Sequence, residues 1–239
     1  MQCSLAKFLM SSCKILALEC STEYLSIALR SGAHVVSRAE RAGQRHTELL
    51  LPMVATVLAE ANRSMSDLDG IAFGAGPGSF TGLRIACGVA QGLAFGADLP
   101  VIGVSTLLAL AAASPASRVV VALDARMGEI YLAGYEKVND QWQTIIAPCL
   151  TQPDVVPMLP GANWYGAGSG FAAHGEALRA CYGDQLVEID SEVYPHAIHI
   201  AALAEVMFAA GQYVPAAQAL PIYVRDKVAL TERERGVAP

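Results

Sequence analysis

The sequence predicts an α/β protein of two lobes, each opening with the same strand-rich unit. Three observations carry this. Val120-Val121-Ala122-Leu123-Asp124 lies over Ile15-Leu16-Ala17-Leu18-Glu19 at an offset of 124 − 19 = 105 residues, and the same offset puts Ile130 and Leu132 over Leu25 and Ile27. Each half therefore begins with an apolar strand ending in a carboxylate, a tight turn and a second strand. A glycine-dense run, GAGPGSFTG at residues 74–82, leads out of one apolar stretch and into a helical pattern, and YGAGSGF at 165–171 echoes it in the second half. Finally, 54% hydrophobic and 16% charged residues over 239 positions describe a compact chain with ample core.

The elements follow in order. Strands are predicted at 15–18, 25–29 and 34–39, the second because Leu25, Ile27 and Leu29 alternate with Ser26 and Ala28. A helix over 47–62 places Leu50, Val54, Leu58 and Ala61 on one face, beside Leu49, Met53 and Val57. Thr47 suits its N-cap, Glu48 its first turn, and Pro52 requires a late start or a kink. Strand 70–73, the glycine loop, helix 83–97, strand 101–104 and a short helix 106–113 complete a first lobe over 14–113. Ser114-Pro115-Ala116-Ser117 is a linker, and a second lobe runs over 118–226, with the chain crossing back near its end. Tyr131, Tyr135, Trp142 and Trp164 are expected in its core. Residues 1–13 read as an extension or an over-long start, with Met10 as the alternative initiator, and 227–239 as a charged, solvated tail.

Charge narrows the function. A net charge of −6 without any run of Lys or Arg argues against autonomous, tight nucleic-acid binding, because that affinity comes from neutralising phosphates. Any RNA contact is expected through a partner. So little charge also suggests apolar surface covered by another chain. The 83–99 segment carries Arg84, Gln91 and Asp98 and is no membrane span. Six scattered cysteines without a CxxC pair read as reduced thiols in a cytoplasmic protein.

A glycine-dense turn between strand and helix brings backbone N–H groups close to whatever lies above it, so 74–82 is a candidate phosphate cradle. It fails both common fingerprints: Thr81 stands where a Walker A loop from Gly76 needs its second glycine, and Ser79 where a dinucleotide loop from Gly74 needs its third. Strand–carboxylate–turn–strand, duplicated, is nevertheless the layout of actin-like ATPase domains (the ribonuclease H-like ASKHA group), whose two turns grip phosphates in a cleft between lobes. The first turn offers Glu19, Cys20, Ser21 and Thr22. The second offers Asp124, Ala125, Arg126 and Met127, lacks hydroxyls, and is crowded by Arg126 and Met127.

With ILALECST, HTELLLPMV, GAGPGSFTGLR and VALDARMGEIYLAGY in this order, the chain resembles the TsaB (YeaZ) family over about residues 14–226. The resemblance implies a scaffold subunit of the bacterial complex that makes N6-threonylcarbamoyladenosine at position 37 of tRNAs reading ANN codons. It implies no catalytic residue, cofactor or metal of its own. The implied partners are a catalytic sister of the same fold, TsaD, and an ATPase, TsaE, with a homodimer in isolation, indirect contact to tRNA, and ATP or ADP and a divalent metal in the partner subunits. The sister family carries an H-x-x-x-H pair whose i, i+4 spacing aims two imidazoles at one metal; the matching positions here are Thr106 and Leu110. The family's first strand usually ends in Asp, where this chain has Glu19, one methylene longer.

Two residue sets are singled out. Gly88, Gly92 and Gly96 recur every four positions in one helix, where each interior glycine costs roughly 1 kcal/mol relative to Ala. Such a stripe lets a second helix approach closely, either one of this chain, such as 47–62, or one of a partner. The family's pairing surface is built of first-lobe helices, so His46, Leu50, Met53, Arg84, Gly88, Gly92 and Gly96 form the candidate interface. His46 alone reads as a capping or surface residue. Arg84 is misplaced for a helix N-terminus and should reach Glu48 or an anion. Glu19, Ser21, Thr22, Gly76, Gly78, Ser79 and Asp124 form a vestigial phosphate-facing set, Ser79 also serving as a cap. The competing reading is an autonomous actin-like ATPase or small-molecule kinase using Glu19, Thr22, Asp124 and the glycine loop. A peptidase lacks a supported nucleophile.

Overall fold

A computed structural model describes residues 13–225. The expected extension before Cys13, with Met10, and the tail over 227–239 lie outside the described residues.

Among the described residues, ten strands form two five-stranded sheets. The first contains β1 (Lys14–Glu19), β2 (Tyr24–Ser31), β3 (His34–Arg41), β4 (Gly70–Gly76) and β5 (Val101–Ser105) in the order β3-β2-β1-β4-β5. The second contains β6 (Arg118–Asp124), β7 (Ile130–Val138), β8 (Gln141–Thr151), β9 (Trp164–Ala167) and β10 (Leu186–Asp190) in the order β8-β7-β6-β9-β10. In both, the first three strands form an antiparallel meander and the last two add in parallel to the first. The duplication therefore holds at the level of topology, and the fold is the actin-like, ribonuclease H-like one. Central β1 reads KILALE, with everything after Lys14 buried, as a strand covered on both faces must. Edge strand β3 reads HVVSRAER, and its exposed charges blunt an edge that would otherwise pair with another chain.

Among the described residues, five α-helices cover the sheets: α1 (His46–Glu60), α2 (Phe80–Ala97), α3 (Thr106–Ala113), α4 (Ser169–Tyr182) and α5 (Ala197–Ala209). On the outer face of the first sheet, Leu50, Val54 and Val57 of α1 and Ala86, Ala90 and Ala94 of α2 pack on Leu16, Leu18, Leu25, Ile27, Ile71 and Phe73. Phe171 and Leu178 of α4 do the same on Val120, Ala122, Ile130 and Leu132 of the second sheet. The two remaining helices cross over. Leu107 and Leu110 of α3, which leaves the first sheet, pack on Val119, Val121 and Leu123 of the second. Ile200, Ala201 and Ala204 of α5, which leaves the second sheet, pack on Ile15, Ala17, Ala28 and Ala72 of the first. The small residues there let helix and sheet approach closely. Tyr131, Tyr135 and Trp164 are buried in the second lobe, with half-buried Trp142 beside them. No helix among the described residues is long and apolar enough to cross a membrane.

Several boundaries differ from expectation. The first of these helices begins at His46, ahead of Pro52 rather than after it, and runs through the proline, whose exposed position leaves the freed carbonyl of Glu48 to water. Its N-cap is Arg45, without a side-chain cap, not Thr47. The following helix starts three residues before 83, at Phe80, capped by Ser79 through Gly82 N at 3.3 Å. The second glycine run forms no loop: only Gly168 separates β9 from α4. Gly168 and Gly170 instead accommodate Ala122, which a Cβ at either would strike.

The repeat also has a register the sequence alignment misses. Leu18 pairs with Ile27, and Ala122 with Leu132, each pair packed under the outer helix of its lobe. The offset is thus 122 − 18 = 104 in the first strand and 132 − 27 = 105 in the second, because the second hairpin is one residue longer between these paired positions. Asp124 consequently stands over Cys20, and Glu19 is matched by Leu123. Since neighbouring residues of a strand face opposite ways, the two carboxylates are not counterparts.

Candidate functional site

A cleft of about 1140 Å³ opens between the lobes, lined by the first turn, the glycine loop, the second turn, the N-terminus of α4 and residues 222–225. Of the proposed phosphate-facing set, Ser21, Thr22, Gly78, Ser79 and Asp124 line it; Glu19 and Gly76 do not.

At the first turn the glycine loop lies directly on the backbone. Ser79 N donates to Ser21 O at 2.7 Å. A Cβ on Gly78 would come within 2.6 Å of Ser21 O, and one on Gly82 would overlap Cys20 O. The glycines therefore serve a close approach to the chain's own turn. Thr22 Oγ1 is also engaged, accepting from Tyr24 N at 3.2 Å. Glu19 is fully buried, one oxygen accepting from Ser21 N at 2.5 Å and Oε2 without a partner among the described residues, packed where a Cβ on Gly74 would fall. Burial pushes its carboxyl above the ordinary value, and hydrogen bonding from Ser21 opposes this only in part. Placing Glu19 on the cleft surface is thus corrected: it points into the protein. Gly76 is likewise internal, its N–H donating to Thr106 Oγ1 at 3.1 Å and its α-carbon facing Ile222 O.

The second turn is filled by side chains. Arg126 N donates to Asp124 Oδ1 at 2.8 Å and its guanidinium pairs with Oδ2 at 3.0 Å, so the carboxylate is already matched by charge. Arg225 Nη2 donates to Ala125 O at 3.0 Å and to Glu129 Oε2 at 2.7 Å, and Arg126 and Met127 both take left-handed backbone conformations at φ 62° and 57°. Crossing between lobes, Tyr24 stacks on Tyr194 at 3.9 Å.

Thr106 and Leu110, where the sister family places its histidines, are both fully buried. Thr106 holds the glycine loop, and Leu110 packs in the second-lobe core against Gly168. A single hydroxyl and a hydrocarbon do not make a donor set for a divalent metal. Among the described residues no cluster of three His, Cys, Asp or Glu side chains is placed to hold one.

The candidate interface divides. Gly88, Gly92 and Gly96 are exposed on the second helix, and a Cβ at any of them would meet nothing within 4 Å. Among the described residues the stripe therefore packs against no other helix of this chain. Met53 is half-buried. Leu50, 1% exposed, is core rather than interface, because it lies on the apolar stripe that faces the sheet. His46 is also buried, its Nε2 3.4 Å from Tyr24 O, at the cleft. Arg84 does not pair with Glu48: its Nε donates to Tyr223 Oη at 3.0 Å and its guanidinium lies 3.8 Å over the Phe80 ring. Two exposed side chains of the same helix pair escaped the sequence reading, Phe95 at 81% and Leu51 at 52%. Leu51 was findable as a leucine off the apolar stripe, and Phe95 as a large apolar residue beside Gly92 and Gly96.

Two sheets of one strand order, joined by crossed helices around a cleft, define an actin-like protein. A family model described as "TsaD: tRNA N6-adenosine threonylcarbamoyltransferase" matches residues 35–231. The tRNA threonylcarbamoyladenosine biosynthesis protein TsaB of Escherichia coli is 39% identical over 226 residues, covering 90% of this chain and 96% of that protein. Its Haemophilus influenzae namesake is 37% identical over 232 residues, covering 92% and 96%. The solved structure of YeaZ from Pseudomonas aeruginosa superposes with a TM-score of 0.82 at 39% identity, covering 88% of this chain and 99% of that one. The chain belongs to the TsaB (YeaZ) family.

Proposed function

We propose that this chain is a non-catalytic subunit in the synthesis of threonylcarbamoyladenosine on tRNA, pairing through the outer face of its first lobe with a catalytic sister of the same fold and letting an ATPase dock on the assembly. The relatives' names supply the pathway. The glycine stripe carries the pairing: three helix-interior glycines cost about 3 kcal/mol, no helix among the described residues uses the space they open, and Phe95 stands exposed beside them. Close approach by a partner helix gives those glycines a role. The filled turns support the absence of independent chemistry, since the first lies under the chain's own backbone and the second under its own arginines.

Gly92→Leu puts a branched side chain into this approach without touching the rest of the fold. Pairing with the sister subunit, followed by gel filtration and calorimetry, is expected to be lost while the melting curve of the isolated chain stays cooperative. Association that survives the change places the interface elsewhere. An autonomous ATPase or kinase would instead require the first turn to release the glycine loop and Asp124 to release Arg126.

A further inference from the structure

We propose that residues 219–225 are a latch that holds the two lobes at a fixed angle across the cleft, with Arg225 as its catch on the second turn. The segment is tied down at three places on two lobes. At its start, Ala219 O accepts from Gln91 Nε2 at 2.9 Å and from Cys87 Sγ at 3.5 Å, both on the second helix of the first lobe. In its middle, Ile222 N donates to Ala75 O at 2.7 Å, and Ile222 O lies where a Cβ on Gly76 would stand. Tyr223 packs 5.4 Å from Phe80 and accepts from Arg84. At its end the chain has reached the other lobe. Val224 packs on the second-lobe core, and Arg225 grips Ala125 O, Glu129 and Met127 Sδ.

The catch has the chemistry of a specific contact rather than a surface ion pair. The Arg225 side chain is 13% exposed and its Glu129 partner 33%. Nη2 serves a carbonyl and a carboxylate together while Nη1 reaches Met127 Sδ, a planar two-nitrogen fork that a single ammonium does not reproduce. Nε is buried and has no partner among the described residues, so the group is held there by its Nη contacts to Ala125 O, Glu129 and Met127 Sδ. Losing them would return Glu129 and Ala125 O to water and remove a wall of the cleft, which residues 222–225 line. The crossed third and fifth helices would still join the lobes, so release changes their angle and leaves each lobe folded.

The test uses the full chain with site-specific labels at exposed Ala55 and Gln143, one on each lobe, together with amide hydrogen exchange. In Arg225→Ala and Glu129→Ala, exchange at Ile222 and its neighbours should quicken by about tenfold or more, as loss of a charged hydrogen bond would produce. The interlobe distance distribution should broaden, and the reversed pair Arg225→Glu with Glu129→Arg should narrow it again. A folded Arg225→Ala chain with unchanged exchange and distances overturns the latch. If that variant does not fold, Arg225→Lys keeps the charge and loses the fork. Intermediate exchange then supports the latch, and wild-type exchange overturns it.

Discussion

The two hairpin turns that face each other across the cleft occupy matching places in matching sheets, yet they are filled by opposite means. The first, between β1 and β2, is covered by backbone: a loop of small residues settles on it so closely that Gly78 and Gly82 have no room for a Cβ. The second, between β6 and β7, is covered by side chains, with Arg126 on Asp124 and Arg225 on Glu129 and Ala125 O. A backbone cover is made once, by the fold, and cannot be withdrawn without moving strand β4. A guanidinium cover is a local ion pair and can be. Duplicated architecture has thus produced one permanently occupied turn and one that is merely latched.

The largest expected effect breaks the first cover. Gly82→Ala drives a methyl into Cys20 O, and relief requires a shift of backbone, so the loss of stability should be about 3 kcal/mol or more by urea denaturation. The matching insult to the second cover, Arg126→Ala, removes a pair whose arginine is 85% exposed and should cost no more than about 1 kcal/mol. Similar losses at both turns would erase the distinction drawn here.

Next in size is Thr106→Val. It keeps the shape and deletes the acceptor for Gly76 N, leaving a buried N–H unpaired at a cost of about 1–3 kcal/mol. A neutral result would mean the glycine loop is not held from below.

Glu19 offers a smaller effect with a definite sign. Burial raises its folded-state value above the ordinary 4.5, so its contribution is fully present below that value and is lost as pH rises through the folded one. The stability of Glu19→Gln relative to the parent should therefore improve as pH is raised from about 4 towards neutrality. A difference independent of pH would show that burial does not raise the carboxyl's folded-state value.

Much of the fold was legible because apolar strands and a repeated carboxylate turn are local signals. The register was not, since a hairpin longer by one residue moves Asp124 to the opposite face from Glu19 while leaving the aligned letters unchanged. The glycine loop was legible as a close approach but not as an approach to what: a phosphate and the chain's own carbonyl demand the same missing Cβ. Leu50 was named for the surface because it is apolar and helical, although the stripe it belongs to marks the core; Leu51 beside it is the exposed one. The partners of Arg84 and Arg225 lie 139 and 96 residues away in sequence, and nothing local announces them.

The central proposal is that this actin-like chain has engaged its own two turns and acts through whom it binds. Titration of the isolated, full-length protein with Mg-ATP in a calorimeter, followed by assay for released phosphate, tests it most directly. The expected result is no tight binding and no turnover. Tight binding accompanied by hydrolysis, abolished by substitutions in the first or second turn, would contradict it.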